Sequence, residues 1–329
     1  MRAWQIHDLT APPVLLSLPL PVPGPGEVLV QVAACGLNFA DLLMAQGRYQ
    51  DKPALPYTMG LEFAGTVVAL GPDTPAPLPG TRVGVYAGRG GLAEYAVVSA
   101  DRLVVLPEAM PFAVAAGFQI AYGTSHLALT HKARLHPGET LLVTGAAGGV
   151  GLTAVEIGKR LGARVVALAR GADKLAVAAA AGADVLIDSD MPEGSTGLRE
   201  TLRALGGVDV VYDAVGGPAF DAALRALRPE GRMLCIGFAG GTVPQVAANL
   251  LLVKNISVMG FWWGAYASFA PALLTGSLAT LMGWYAAGGL SPHISHLLPM
   301  DRLPEGLDLL RNRTATGKVV IEITPPPQP

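Results

Sequence analysis

"LLVTGAAGGVGLTAVEIGKRLGARVVALAR", residues 141–170, decides how the rest of the chain is read. An apolar run ends at Gly145 and a glycine-rich turn follows. Val150, Ala154, Ile157 and Leu161 then recur at helical spacing, with Glu156, Lys159 and Arg160 on the other side, before "ARVVALAR" resumes an apolar run. Strand, turn, helix, strand is the context that a dinucleotide-binding turn requires. A helix start carries unpaired N–H groups and the positive end of the helix dipole. A diphosphate docks there if no side chain intervenes. Gly145 is expected to permit the tight turn, and Gly148 and Gly149 to let the backbone approach the ligand. Gly151 is expected to bring the helix close to the strand. The literal G-x-G-x-x-G is absent, because Ala146 stands at its first glycine. A merely structural strand-to-helix turn is the competing reading.

Outward from this stretch, short apolar runs alternate with helical stretches from about Met110 to Gly260. "ADVLIDS", "VDVVYDAVG", "GRMLCIGFAG" and "NISVMGF" join "ETLLVTG" and "ARVVALAR" as expected buried parallel strands, and Phe220, Leu224 and Leu227 repeat the helical spacing. Such alternation builds a parallel α/β sheet. The first third differs. "EVLVQVAACG", "EFAGTVVALG", "TRVGVYAG", "LAEYAVVS" and "RLVVLP" are strands separated by Gly and Pro, with "PVPGPGE" a rigid turn. This spacing predicts a compact antiparallel barrel or sandwich. After Gly260, "ALLTGSLATLMGWYAAGG" reads as helix, "GKVVIEIT" as a closing strand and "PPPQP" as a frayed end. The α/β block therefore sits between two segments of one discontinuous domain. The expected division is 1–115 with 262–329, and 116–261. A chain of 329 residues is long for a single core.

Composition narrows the function. Lys plus Arg is 23 against 25 for Asp plus Glu, so no broad positive field awaits a nucleic acid. Two cysteines, Cys35 and Cys235, cannot make a disulfide framework or a cysteine-rich zinc site. "MRAWQIHDLT" does not read as a signal peptide, and the longest apolar stretches hold Pro and Gly and are too short for a bilayer. A soluble, cytoplasmic protein without a membrane partner is expected.

The cofactor follows from the end of the second strand. A dinucleotide lacking the 2′-phosphate wants Asp or Glu there. Here Ala169 is followed by Arg170, with Lys174 four residues on, and Asp173 falls later, at the next helix start. Arg and Lys suit a 2′-phosphate, so NADPH is favoured over NADH. Two solvated surface charges are the alternative.

Together these residues resemble the zinc-independent quinone oxidoreductases of the medium-chain dehydrogenase/reductase superfamily. The resemblance covers essentially the whole chain. It rests on "CGLNFADLL", "PYTMGLEFAGTVVALG", "GAAGGVGLTAVEIGKRLGARVVA", "VDVVYDAVGG" and "ATGKVVIEI". It implies an α/β protein: a GroES-like β-barrel catalytic domain plus a Rossmann, doubly wound parallel-sheet domain. It also implies NADPH, bound in a cleft between domains, and a homodimer or tetramer built through Rossmann sheet edges. Zinc-dependent relatives carry Cys at the position of Asn38 and His at that of Leu61, and they insert a four-cysteine lobe that "VYAGRGGLAEYAVV" lacks. A catalytic zinc needs about three protein ligands. Glu62 remains without those partners, and His293 and His296 read as a surface pair, so metal-free chemistry is expected. Without a metal to stabilise an alkoxide, strong hydride acceptors such as quinones and activated enones fit best.

The resemblance implies the following site. Asn38 and Tyr49 line the substrate end of the nicotinamide pocket, either one donating to a developing oxyanion, while Asp41 is a helix cap or anchor. A second pocket tyrosine of some members is replaced by Leu43. Tyr122 matches a residue beside the nicotinamide ring, or else is a core tyrosine with a satisfied hydroxyl. Gly145, Ala146, Ala147, Gly148, Gly149 and Val150 form the diphosphate turn, and Ala169, Arg170 and Lys174 meet the 2′-phosphate. Ser189 takes the place of an adenosine-stacking tyrosine. Val215 and Gly216, then Gly237 and Phe238, match strand-end loops. Phe261, Trp262 and Trp263 match backbone that holds the carboxamide, or are interface packing. Arg313 and, more weakly, Lys318 match basic residues that reach the phosphates. The expected activity is hydride transfer from NADPH to a quinone. Reduction of an enone, alkenal or enoyl-thioester double bond is the second enzymatic reading. An NADPH-binding structural or RNA-associated protein without useful turnover is a third.

Overall fold

The computed structural model describes residues 1–192 and 194–323; the proline-rich tail expected to fray lies outside them. The chain divides into two compact units, Met1–Ile120 with Met282–Pro329, and Ala121–Leu281. The second boundary falls later than residue 261 because the aromatic segment after β-strand residue Gly260 packs within the second unit. The Trp263 ring lies against Gly123, and Phe261 and His131 both meet the ring of Tyr266.

The first unit holds β1 (Arg2–Ile6), β2 (Val14–Ser17), β3 (Glu27–Gly36), β4 (Tyr57–Thr58), β5 (Glu62–Leu70), β6 (Arg82–Tyr86), β7 (Tyr95–Ser99) and β8 (Leu103–Val105). The second holds β9 (Thr140–Thr144), β10 (Arg164–Ala169), β11 (Val185–Asp188), β12 (Val208–Asp213), β13 (Leu227–Cys235) and β14 (Ser257–Gly260). The chain then supplies β15 (Ile294–Pro299) and β16 (Lys318–Glu322) to the first.

In the first unit a three-stranded sheet, β2-β1-β4, accompanies a seven-stranded one ordered β15-β16-β3-β5-β6-β8, with β7 also paired to β3. β3 is buried on both faces rather than one, because it is central to the sheet and the helix Phe112–Ala116 packs against it. That packing demands a bare residue: a Cβ on Gly36 would lie 2.3 Å from the carbonyl oxygen of Ala116. Val28, Val30, Val32, Phe63, Val83 and Ile321 fill the core between these elements. β1, β2, β4 and β15 were not among the expected strands. They are short, and β15 carries Ser295 and His296 where an alternating apolar pattern would be sought.

The second unit is a parallel sheet in the order β11-β10-β9-β12-β13-β14. The strand order reverses between β9 and β12, and open α/β sheets bind ligands outside the carboxyl ends of strands at such a switch point. Leu142, Val166, Leu168, Val211, Phe220, Leu224 and Met233 form its core. Leu227 is not on the helix with Phe220 and Leu224. That helix ends at Ala226, and Leu227 opens β13 opposite Val208.

Phe220 is fully buried. Phe220→Ala is expected to lower the free energy of unfolding by about 3–5 kcal/mol, because truncation removes buried ring and leaves a cavity. Denaturant unfolding followed by far-UV circular dichroism would read the loss.

Candidate functional site

The glycine-rich turn of the second unit is built as the spacing required. Gly145 leaves β9 with φ +62°, a conformation that L side chains rarely adopt. The Gly148 N–H donates to the Gly145 carbonyl at 2.9 Å, and Gly148 caps the helix Gly149–Arg160. A Cβ on Gly151 would sit 2.1 Å from the Gly145 carbonyl oxygen, so the first helical turn rests directly on the end of the strand. Ala146 and Ala147 are buried, and the Ala146 N–H is tied to the Leu168 carbonyl at 3.1 Å. Gly148, Gly149 and Val150 stay half-exposed at the helix tip. A bare helix N-terminus with accessible backbone fits a diphosphate.

Opposite β9 across the sheet's switch point, β12 ends in Asp213 and runs into Val215 and Gly216. Gly216 (φ +75°) lies under the Thr242 carbonyl oxygen, which a Cβ would approach to 2.7 Å, with the Phe238 ring and Pro244 beside it. The Gly240 N–H donates to the Val215 carbonyl at 2.8 Å, and Gly237 and Phe238 follow β13 in the same loop system. The structure thus gathers Gly145, Val215, Gly216, Gly237 and Phe238 at the carboxyl ends of β9, β12 and β13.

At the end of β10, Ala169 is buried and Arg170 is exposed, its Nε 3.2 Å from Asp190. Lys174 is half-exposed on the next helix, and Ser189, exposed, donates its N–H to the Ala169 carbonyl at 2.9 Å. Asp188, the register partner of Ala169, is an acid that linear reading did not single out. Its carboxylate accepts the N–H groups of Asp190 and Gly171, which hold it below the usual carboxylate range. It stabilises the turn after β10. Arg170 and Lys174 are the basic residues beside this turn.

Tyr122 is buried, and its hydroxyl donates to Glu156 at 2.5 Å. Its phenol is thus engaged on the glycine-rich helix Gly149–Arg160. Trp263 is likewise buried against Gly123, whereas Trp262 is exposed and Phe261 buried beside Tyr266.

In the first unit the structure shows a buried charged cluster. The Lys318 ammonium donates to the Leu37 carbonyl (2.8 Å), Asn38 Oδ1 (2.8 Å) and Glu62 Oε1 (2.9 Å). All three of its protons are engaged there. Glu62 accepts in addition from Asn38 Nδ2 at 3.0 Å and, through Oε2, from the Ile120 N–H at 2.9 Å. Asn38 uses its second amide proton on the Gly36 carbonyl at 3.2 Å. Asn38 thus has both amide protons engaged within the cluster. It starts the helix Phe39–Ala45, in a capping box with Asp41. Asp41 was expected as a cap or anchor, and its Oδ2 accepts the Asn38 N–H at 2.8 Å. Burial pushes its carboxyl up to about 7, opposed by that N–H and by Lys318.

Tyr49 is half-buried, packed on the edge of the first unit's core, and Leu43 is partly exposed in the same segment. Arg313 is exposed just past the helix Leu303–Arg311. His293 pairs with Thr316 and His296 with Ser295. Among the described residues no group of three His, Cys, Asp or Glu side chains is placed to hold a metal ion. Leu61 is buried, and Glu62 is engaged as above.

Two family models match the chain: the alcohol dehydrogenase GroES-like domain over residues 24–108, and the zinc-binding dehydrogenase model over residues 149–275. Quinone oxidoreductase-like protein 2 of Bos taurus is 38% identical over 98% of this chain and 92% of its own length. Prostaglandin reductase-3 of Bos taurus is 32% identical, over 93% of this chain and 84% of its own. The quinone oxidoreductase of Thermus thermophilus, solved alone and with NADPH, superposes with a TM-score of 0.86 at 32% identity, covering 98% of this chain and 100% of that one.

Lys318→Met strands a buried carboxylate and is expected to cost about 3–5 kcal/mol of stability. Adding Glu62→Gln should recover part of that loss, as measured by denaturant unfolding of both variants. Asp41 gives a pH effect of the opposite sign to most carboxylates. Its folded value of about 7 lies above the ordinary 3.8, so folding favours its protonated form. Its contribution is most favourable below pH 3.8 and is lost as pH rises towards 7. Asp41→Asn should therefore flatten the pH dependence of stability between about pH 4 and 7, with the variant gaining on the parent protein as pH rises.

Proposed function

The chain belongs to the medium-chain dehydrogenase/reductase superfamily, and on that footing we propose that it is an NADPH-dependent oxidoreductase whose hydride acceptor is a quinone. The observation that carries the reading is the bare helix tip at Gly148–Val150, set beside Val215 and Gly216 at the sheet's switch point, with Arg170 rather than an acid following β10. The half-exposed backbone at residues 148–150 would hold the diphosphate, and Gly216, Gly237 and Phe238 would border the nucleotide beyond it. Arg170 and Lys174 would meet the 2′-phosphate by charge-assisted hydrogen bonds. NADPH supplies a hydride when bound. The NADPH complex of the Thermus relative supports the same nucleotide here.

The chain's own contribution to the chemistry is modest by design. A quinone accepts a hydride readily and delocalises the charge that develops on its oxygen, so one or two hydrogen-bond donors suffice. The phenol of Tyr49 is the donor we assign, since both amide protons of Asn38 are already engaged. Asn38 instead fixes the start of the helix that precedes Tyr49 in sequence. No histidine is assigned as a proton donor, and solvent delivers the last proton. The protein is read as working without a membrane or nucleic-acid partner, in the cytoplasm. As a homodimer or tetramer it would pair through the exposed edge of β14. The 32% identity to a prostaglandin reductase favours a second reading, in which the hydride goes to the carbon β to a carbonyl in an enone.

Arg170→Ala with Lys174→Ala should weaken NADPH binding by about a hundredfold or more and NADH binding far less, as two charge-assisted bonds contribute roughly 1.5–3 kcal/mol each. Equal losses in a fluorescence titration would refute the 2′-phosphate assignment. Tyr49→Phe should lower kcat/KM for a quinone by about tenfold, below the ~10²–10³ of a donor facing a localised oxyanion. Steady-state rates with 1,2-naphthoquinone and a 2-alkenal decide the acceptor: faster turnover of the alkenal would replace the quinone reading with the enone one.

A further inference from the structure

Asp213 has no part in the function proposed above, yet it is fully buried at the end of β12, where the sheet's strand order reverses. Its side chain and carbonyl bond residues at and just beyond three strand ends. Its Oδ1 accepts the Thr144 hydroxyl at 2.5 Å, which bridges β12 to the last residue of β9 immediately before Gly145. Its Oδ2 accepts the Gly216 N–H at 2.9 Å. Its carbonyl accepts the N–H groups of Ile236 at 2.8 Å and Gly237 at 3.3 Å. The Thr144 hydroxyl oxygen in turn accepts the Ala214 N–H at 3.1 Å. One residue thus holds the departures of three parallel strands, β9, β12 and β13, in fixed relation.

A carboxylate buried at that depth costs stability unless donors surround it. A leucine or valine would fill the same place in a plain core more cheaply. Burial does push the Asp213 carboxyl up, and the Thr144, Gly216 and Val215 donors pull it back down. The expense makes sense if the loops it orders must present their backbone in one shape.

Resting on the nucleotide reading above, we propose that Asp213 and Thr144 form the positioning pair of the nucleotide site. They preset the Val215–Gly216 and Gly237–Phe238 backbone against the Gly145 turn before any ligand arrives. A preset loop does not have to be ordered at the moment of binding, and the saving is read as affinity. The pair bonds the loops after β12 and β13 to the end of β9 and, among the described residues, has no hydrogen bond to Arg170, so it supports affinity without choosing between nucleotides.

Titration of the full chain with NADPH and with NADH, by nucleotide fluorescence, tests this with four variants. Asp213→Leu should weaken both nucleotides by about tenfold or more, by the same factor. Asp213→Asn keeps an acceptor for Gly216 and a partner for Thr144, and should restore most of the affinity. Thr144→Val should fall between them. Tyr212→Phe is the control. It removes the fully buried hydroxyl of the neighbouring residue, which bonds Ser125 at 3.0 Å, and it should lower Tm while leaving affinity near that of the parent protein. If Asp213→Leu does not fold, Thr144→Val and Asp213→Asn carry the test. Folded Asp213→Leu or Thr144→Val proteins that bind both nucleotides as tightly as the parent would overturn the proposal. So would affinity losses in all variants that merely follow Tm, Tyr212→Phe included. A parent protein that binds neither nucleotide would instead overturn the nucleotide reading itself.

Discussion

The close approach of the helix Gly149–Arg160 to the end of β9 governs the second unit. With 2.1 Å between a notional Gly151 Cβ and the Gly145 carbonyl oxygen, no side chain fits, and the helix tip can stand only where the backbone is bare. That contact aims the unpaired N–H groups of the first turn outward at the carboxyl end of the sheet. The left-handed Gly145 and the Gly216 loop then complete a backbone-lined rim. The electropositive helix end, the accessible peptide groups and the absence of side chains all descend from one steric requirement.

Each unit also carries a buried polar assembly of similar logic. In the first, Lys318 and Glu62 knit together the end of β3, the start of the following helix, β5 and the Ile120 N–H. In the second, Asp213 knits three strand ends. Both are expensive relative to apolar packing. Both stand where a segment of irregular backbone has to be held in one conformation, which apolar contacts, being non-directional, do poorly. Side chains that read as free in the sequence, Asn38 and Lys318, are engaged in the first assembly.

Much of this was legible in the sequence. The strands of the α/β unit and the central strands of the other unit were marked by apolar runs and alternation, and the division into a split domain and an inserted one followed from where those patterns change. The short strands β1, β2, β4 and β15 were not, because their conformation is imposed by neighbours with which they pair far along the chain. The glycine spacing located the helix tip and the basic strand end located Arg170. The role of Asp188 was hidden, since its carboxylate serves a turn that lies beside it only in the folded sheet.

What the sequence determined by itself is therefore what depends on local pattern: periodicity, turn glycines, the charge at a strand end, and with them the fold class and the kind of ligand. What the tertiary structure alone decided is the use of polar side chains. Tyr122 meets Glu156, Lys318 meets Leu37, Asn38 and Glu62, and Asp213 meets Thr144 across the sheet. A hydrogen bond forms over about 3 Å between atoms that can be hundreds of residues apart in the chain. No local pattern records which donor will find which acceptor.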